Sequence, residues 1–275
     1  MKQILQGAYD MHVHAGPDVI DRKMDDLELA AAYNAAGMKG FVIKSHYFDT
    51  AGRAYLVRKL FPDLNVVGTL VLNHSVGGLN PEAVEKAARY GVRLVFMPTI
   101  DAWNMLHTES SVRVLKDGRL ADGIDEILEI IRDNDMILCS GHIAPEETLA
   151  LFGRAQEKGL RKLIATHVEW PPVRASLEMQ KQYVGCGAFL EHCVINILAG
   201  SLSVEELASQ IREIGAEHMI LSTDLGQASN PEPAAAFAEY AGLLLDAGVS
   251  ENELRTMIAA NPEQLITTSL CREAF

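Results

Sequence analysis

Eight short apolar segments alternate with amphipathic segments along the chain, and this alternation limits the possible folds more than any other feature. Each apolar segment is continuous, which is typical of parallel strands that are covered on both faces. The segments between them carry helix-start signals, such as Asn80 followed by Pro81 and Ser203 followed by Glu206. The apolar segments begin at Gly7, Lys39, Asn65, Val92, Asp135, Arg161, Gly187 and His218.

Eight strand–helix alternations in one chain predict an α/β fold, a single (β/α)8 TIM barrel that covers residues 1–275. A length of 275 residues and a hydrophobic content of 48 % are sufficient for one such domain. The alternation is interrupted after the fourth strand, where the segment SVRVLKDGRLADG contains the hairpin-turn pair Asp117-Gly118. The sequence therefore predicts a small β-hairpin insertion after strand 4.

Charge and cysteine content argue against several classes of function. A formal net charge of −13 disfavours nucleic acid and anionic membrane surfaces as partners. No run is long enough to span a membrane, and the N-terminus lacks the apolar stretch of a signal peptide. The four cysteines show no C-x-x-C spacing, and two of them lie in strand segments, which favours buried free thiols in a reducing cytoplasm. We therefore predict a cytoplasmic protein with free thiols. The four cysteines are Cys139, Cys186, Cys193 and Cys271.

The histidines concentrate where the predicted strands end. Of nine, only His107 and His218 lie elsewhere. Catalytic residues of such barrels come from the C-terminal ends of the strands, so this bias predicts a shared site at that mouth. His12 and His14 lie at i and i+2 of a strand and share a face, which suits a divalent metal. Asp224 ends the eighth strand, beside the first in a closed barrel. The seven histidines at strand ends are His12, His14, His46, His74, His142, His167 and His192.

This arrangement resembles the amidohydrolase superfamily of metal-dependent hydrolases, and the match is closest to uncharacterised members. It rests on His12-x-His14 after the first strand, His142 after the fifth, His167 after the sixth and Asp224 after the eighth. The segment NPEQLI is similar to the Asn-Pro-x-x-Leu stretch that often closes such barrels. The resemblance implies a divalent ion, with Zn²⁺ expected, held by these four histidines and Asp224. His167 has substrate contact as its alternative role.

The fourth strand departs from the family's pattern. Many members with two metals place a Lys, often carboxylated, or a Glu at its end, whereas this chain has Met97 and Pro98 there. Asp101 lies further on and would need a loop excursion to reach the site. Lys44 on the second strand offers a bridging carbamate, a partner for Asp224 or an anchor for a substrate carboxylate. One ion is therefore favoured over two, and the two-ion alternative stays open.

Several candidates have simpler alternatives. His142 and Asp224 could act only as helix caps, and the consecutive residues Glu191 and His192 cannot both point into the barrel. A buried Lys44 without a partner would be costly, which favours a functional role. The candidates for substrate contacts, or for support of the metal ligands, are His46, His74, Glu191, His192 and Trp170.

The expected chemistry is metal-dependent hydrolysis of a small molecule. A metal lowers the pKa of bound water from about 15.7 to roughly 7, which makes hydroxide available, with Asp224 as the general base. His167 or Lys44 would polarise the carbonyl or stabilise the oxyanion. The expected target is the C–N bond of an amide, cyclic amide or amidine, followed by a lactone or ester. The alternatives are a metal-dependent decarboxylase, a metal-free lactonase and a non-catalytic binding barrel. A homo-oligomer is a further expectation.

Overall fold

Each of the eight predicted strand segments forms a strand in the computed structural model, which describes residues 4–267 of the chain. These strands pair in parallel and in chain order, and two further strands form an antiparallel hairpin. The predicted thiol Cys271 lies outside the described residues. The strands are β1 (Tyr9–Val13), β2 (Gly40–Ile43), β3 (Asn65–Val71), β4 (Val92–Phe96), β5 (Leu115–Lys116), β6 (Arg119–Leu120), β7 (Ile137–Cys139), β8 (Leu163–Ala165), β9 (Ala188–Cys193) and β10 (Met219–Ser222).

Helices follow the barrel strands, and the predicted caps hold two of them. Asn80 accepts the backbone N–H of Ala83, and Ser203 forms a capping box with Glu206. None of the helices within residues 4–267 has the length and apolar character needed to cross a bilayer. The helices are α1 (Asp26–Ala35), α2 (Ala51–Leu60), α3 (Pro81–Tyr90), α4 (Trp103–Leu106), α5 (Ile124–Asp133), α6 (Pro145–Glu157), α7 (Leu177–Gly185), α8 (Val194–Leu198), α9 (Val204–Ile214), α10 (Pro233–Asp246), α11 (Glu251–Arg255) and α12 (Asn261–Ile266), with short 3₁₀ turns at His74–Val76, Pro171–Val173 and Ala216–His218 and a π-helical turn at Thr256–Ala260.

The predicted hairpin insertion and the predicted closing segment are both present. In the turn between β5 and β6, Asp117 and Gly118 have φ of +50° and +74°, the left-handed conformations that a tight hairpin of this type needs. In NPEQLI, the side-chain amide of Asn261 donates to the carbonyl oxygens of Ala216 at 2.8 Å and Met219 at 2.7 Å. This amide therefore fastens α12 to the start of the last strand.

Two apolar layers build the core. One fills the barrel interior and the other lies between the strands and the helices. Cys139 and Cys193 are free and buried on strands, as predicted, and Cys186 is half-buried. The interior layer reaches up to Phe96, above which the polar mouth begins, and it includes Met11, Val42, Val71, Phe96, Ile164 and Ile220.

The barrel closes between its first and last strands just past β10. The amide N–H of Asp224 donates to the carbonyl of His12 at 2.7 Å, and that of His14 donates to the carbonyl of Leu225 at 2.8 Å. The carboxylate of Asp10 adds a second connection, because it accepts the backbone N–H of Thr223 at 3.0 Å and its hydroxyl at 2.6 Å. These bonds place Asp224 beside the two histidines of β1.

An irregularity in β1 turns its histidines into the barrel. The pairing register shifts between Asp10 and Val13. Met11 packs in the barrel interior, so a regular strand would turn His12 to the opposite face. Asp10 accepts the backbone N–H of His12 at 3.2 Å, which satisfies a group that the shifted ladder releases. Bulges of this kind re-aim side chains next to functional sites.

Candidate metal centre

Two imidazoles and one carboxylate converge at the mouth of the barrel. The Nε2 atoms of His12 and His14 lie 3.0 Å and 3.2 Å from the same oxygen, Oδ1 of Asp224. Their potential ligand atoms all fall within 4.8 Å of one another. Both histidines are buried, whereas the side chain of Asp224 keeps 15 % of its surface exposed. Asp224 is therefore the member of this group that faces solvent.

Glu191 orients His12 from behind. Its Oε2 lies 3.1 Å from Nδ1 of His12, and its Oε1 accepts the hydroxyl of Ser222 at 3.0 Å. Burial lowers the pKa of His12, but the carboxylates of Asp224 and Glu191 outweigh burial and raise this pKa to about 9. A carboxylate behind a ligating imidazole is a common feature of metal sites, where it fixes the ring.

Lys44 lies under the same group and is fully buried. Its Nζ is 2.8 Å from Nε2 of His12 and 4.6 Å from the ring centroid of Phe96. Burial lowers the pKa of Lys44, while the carboxylates of Asp224 and Glu191 act in the opposite direction. The amine thus lies in a compact network with His12 and two carboxylates, whose charge favours its protonated form.

Three further histidines complete the mouth. The ring of His167 lies 4.9 Å from that of His142 and 5.8 Å from that of His12, and His46 lies 5.0 Å from His14. Burial lowers the pKa of His14 and of His167 to about 4, and it lowers the pKa of His46 and of His142 well below the usual value. These imidazoles are therefore neutral at pH 7, which is the form that binds metals.

Two residues of the site have a strained backbone. His167 and Asp224 have φ of +30° and +49°, a region that residues other than glycine rarely adopt. A Cβ at Gly226 would clash with the carbonyl oxygen of His14, and one at Gly141 would clash with that of Met97. The two glycines permit the close approaches that carry Asp224 and His142 to the mouth.

Trp170 forms one wall of the site. Its ring centroid lies 4.8 Å from that of His142 and 5.1 Å from that of His167. The backbone carbonyl of His142 accepts the side-chain amide of Asn104 at 3.3 Å. The aromatic side chain therefore packs directly on two of the candidate ligands.

Two of the weaker candidates lie away from the cluster. His74 is exposed, and its backbone N–H binds Oδ2 of Asp101 at 2.8 Å, which engages Asp101 in the loop. Met97 packs in the layer between strands and helices, so the fourth strand supplies no bridging side chain.

His192 turns to the outer face of β9, where its Nδ1 contacts Oε1 of Glu169. Of the consecutive pair, Glu191 is the one that reaches the barrel mouth.

Sequence reasoning missed Asn73 and Thr99, which hold His46 in place. The hydroxyl of Thr99 lies 2.8 Å from Nδ1 of His46, and the amide of Asn73 donates to the carbonyl of His46 at 2.8 Å. Asn73 also joins Thr99 through its side-chain oxygen, at 2.8 Å from the backbone nitrogen. Both residues are polar and follow strand ends, and this shared position was the signal that could have identified them.

The donor set fits a divalent ion. Imidazole nitrogens with one carboxylate oxygen suit Zn²⁺ and related metals. The buried Nδ1 atoms of His14, His142 and His167 have no hydrogen-bond partner among residues 4–267, so nitrogens remain available as ligands. His12 also forms a second candidate group with Glu191 and Cys193. Burial raises the pKa of the Cys193 thiol well above its usual value, which keeps it from the thiolate form that binds metals.

Solved structures with the same architecture are numerous. An amidohydrolase from Pseudomonas aeruginosa is 12 % identical, with 96 % of each chain covered and a TM-score of 0.69. For the organophosphorus hydrolase from Deinococcus radiodurans, identity is 12 %, coverage 96 % of this chain and 94 % of the other, and TM-score 0.61. The 2,6-dihydroxybenzoate decarboxylase from Rhizobium is 13 % identical, with 94 % of this chain and 98 % of the other covered and a TM-score of 0.54.

These similarities confirm the predicted resemblance at the level of the fold, which is the (β/α)8 barrel of amidohydrolase-type structures. The chain belongs to the Family of unknown function (DUF6282), whose model matches residues 7–191. That match includes His12, His14, Lys44 and Glu191 and ends before Asp224. No curated protein matches the sequence of this chain.

Proposed function

We propose that this protein is a metal-dependent hydrolase that cleaves the C–N bond of a small amide, cyclic amide or amidine, or a lactone or ester. The observation that carries the proposal is the convergence of His12, His14 and Asp224 at the carboxyl ends of the first and last strands. Hydrolases such as the amidohydrolase and the organophosphorus hydrolase named above share this fold, which supports the reaction class.

The proposed cofactor is one Zn²⁺ ion, held by His12, His14, His142 and Asp224, with His167 as a further ligand or a substrate contact. When bound, such an ion supplies a Lewis acid that polarises carbonyl groups and makes water more acidic. One ion is proposed because the position of the usual bridging residue belongs to Met97 in the core.

Asp224 is proposed to move the proton. Burial raises the pKa of its carboxyl group, but His12, His14 and Lys44 lower this pKa well below its usual value. The group is therefore a carboxylate at neutral pH and is able to accept a proton from water. Its partial exposure places it where substrate arrives, so the same carboxyl group is able to pass the proton to the leaving nitrogen or oxygen.

His167 and Trp170 are proposed to position the substrate. The centroids of the two rings lie 5.1 Å apart and form a wall beside the cluster of His12, His14 and Asp224. A planar amide or lactone would pack against this wall. Lys44 is fully buried beneath His12. We propose that its amine, when protonated, balances the carboxylates of Asp224 and Glu191 and stabilises the negative charge that develops on the substrate.

The first experiment combines metal analysis with a substrate panel. Native protein and a His12→Ala/His14→Ala double variant are measured by inductively coupled plasma mass spectrometry, with His218→Ala as a control because His218 lies outside the site. We expect about one Zn²⁺ per chain in native and control protein, loss in the double variant, and turnover of an amide, lactone or ester. Failure to bind Zn²⁺ or Mn²⁺ after reconstitution would contradict the proposal.

A decarboxylase is the second candidate. The barrel of 2,6-dihydroxybenzoate decarboxylase shares this fold, and the buried ammonium of Lys44 would attract a carboxylate substrate. The two reactions differ in their use of water. A hydrolase incorporates oxygen from ¹⁸O-labelled water into its organic product, whereas a decarboxylase releases CO₂ and its organic product gains a proton but no label.

A further inference from the structure

A polar cavity lies outside the barrel, between α7 and α9. Its volume is about 290 Å³, close to the lower limit of about 300 Å³ for small-molecule sites. It is separate from the metal centre, because its walls come from the loop after β8, the two helices and the loop before α9. The residues that line it include Glu169, Arg174, Gln180, Leu202, Gln210 and Glu213.

Three buried side-chain oxygens without a donor belong to residues that line this cavity. Gln180 is 2 % exposed, and its side-chain nitrogen donates to the carbonyl of Ala175 at 3.1 Å. This bond fixes the amide orientation, and its Oε1 has no hydrogen-bond partner among residues 4–267. Glu169 is 3 % exposed, and its Oε2 is likewise unpaired, as is the buried Oε1 of Gln210. Buried acceptors of this kind are costly unless a donor satisfies them.

The charges at the cavity favour a positive ligand. Three carboxylates, from Glu169, Glu206 and Glu213, line it together with the guanidinium of Arg174. Lys181 pairs with Glu213 at 2.8 Å and Glu206 accepts the backbone N–H of Ser203, so Glu169 is the buried carboxylate left for a ligand. The N–H groups of Arg174 donate to the backbone carbonyls of Glu169, at 3.2 Å, and of Ser201. None of these bonds reaches the unpaired oxygens, so a ligand that carries N–H groups would supply the donor they lack.

Apolar side chains line the remainder of the cavity. Ala175, Leu177 and Leu202 contribute to its walls, so a ligand with a short hydrocarbon part is favoured over a bare ion. We propose that the cavity between α7 and α9 binds a small organic cation, an alkylammonium or alkylguanidinium compound, through Glu169 and Gln180. This binding site goes beyond the proposed hydrolase function and does not depend on it.

Three probes of similar size separate charge from shape. Binding of n-butylammonium, butan-1-ol and butyrate to the full chain is measured by isothermal titration calorimetry at constant chloride concentration, with NaCl and CaCl₂ as ionic comparisons. We expect saturable binding of n-butylammonium alone, because only that probe brings N–H donors and positive charge. Equal binding of butanol, or equal binding of Ca²⁺, would overturn the proposal of an organic cation.

Two variants assign the binding to these residues. Glu169→Gln removes the charge, and Gln180→Met removes the acceptor with little change in volume. We expect each to weaken n-butylammonium binding by about tenfold or more, as the loss of a charge-assisted hydrogen bond predicts. Glu205→Gln, in the first turn of α9 but outside the cavity lining, is the matched control.

The outcomes of this test are separable. Circular dichroism checks that each variant is folded. If one variant does not fold, the comparison of the three probes on native protein still decides whether the chain binds an organic cation. Unchanged affinity in both folded variants would overturn the assignment to Glu169 and Gln180. Failure of n-butylammonium to bind native protein would overturn the site itself, whatever the metal content or turnover of the enzyme.

Discussion

Two carboxylate–imidazole pairs lie on opposite faces of β9, and they differ in how completely they are satisfied. On the inner face, Glu191 binds His12, accepts the hydroxyl of Ser222 and lies 3.3 Å from the backbone nitrogen of His167. On the outer face, Glu169 contacts His192, but Oε2 of the carboxylate and Nε2 of the imidazole have no partner among the residues described.

This difference separates a positioning role from a binding role. A carboxylate whose two oxygens are both engaged is held rigidly, which suits a group that fixes a metal ligand. A buried carboxylate with a free oxygen beside a cavity keeps the capacity to bind something else. Consecutive residues of one strand, Glu191 and His192, therefore belong to two separate polar clusters.

The largest expected effect lies at the exposed member of the inner group. Asp224→Asn removes the proposed proton acceptor while it keeps the side-chain shape. We expect turnover of the best substrate to fall by about 10²–10⁴-fold, the range typical of lost general acid–base catalysis. Because Asp224 is also a proposed ligand, metal content is measured by mass spectrometry on the same sample and turnover is expressed per bound ion, which separates loss of the proton acceptor from loss of the metal. Native turnover in the variant would remove Asp224 from the mechanism.

The second-largest expected effect is a loss of metal affinity when Glu191 of the inner pair is changed. Glu191→Gln weakens the hold on His12, and we expect metal affinity to fall about 10–100-fold, as is typical for groups behind a ligating histidine. The measurement is competition with a coloured chelator. Glu147→Gln is a matched control, since Glu147 is also buried but binds the backbone of Val114 and Leu115. Equal losses in the two variants would show a general effect of burial.

Local patterns predicted the fold because barrel strands and helices follow from short-range signals. Continuous apolar runs and caps such as Asn80 and Ser203 lie entirely within their own elements. The end of each strand is then set by topology, so His12, His14 and Asp224 could be placed at one mouth before the structure was known.

The choice between consecutive residues could not be predicted in the same way. Strand parity shows only that Glu191 and His192 face opposite sides, while register and distant partners decide which faces inward. The partner of His192 is Glu169, and the shift in β1 depends on Asp10, which bonds to Thr223 at the other end of the chain. Contacts at such separations leave no signal in a local pattern.

The neutral histidines of the inner face predict a pH dependence of stability. Burial holds the pKa of His14 and His167 near 4, against 6.5 for an ordinary histidine. Between pH 6.5 and 4 the unfolded chain therefore binds protons that the folded chain does not. The free energy of unfolding of metal-free protein should fall on acidification by about 1.4 kcal/mol per pH unit for each such group.

His12 has the opposite sign. Its pKa is raised to about 9, so its stabilising contribution is complete below pH 6.5 and is lost as pH rises toward 9. Urea unfolding of chelator-treated protein across this range checks both slopes. His167→Asn should reduce the acidic slope by about one proton, and His218→Gln, at a half-buried position outside the site, is the matched control. A flat acidic limb in native protein would contradict the proposed neutral cluster.

The smallest expected effect isolates one hydrogen bond of the inner pair. Ser222→Ala removes the hydroxyl that donates to Oε1 of Glu191 at 3.0 Å and leaves Oε2 on His12. The lost bond is worth about 1 kcal/mol, so metal affinity should fall by about threefold to tenfold, less than in Glu191→Gln. The double variant with Glu191→Gln should lose little more than Glu191→Gln alone, because both changes act on the same link. Additive losses of metal affinity in chelator competition would mean that Ser222 acts on the metal centre independently of Glu191. Glu191 would then not be the only residue of the inner face that supports His12.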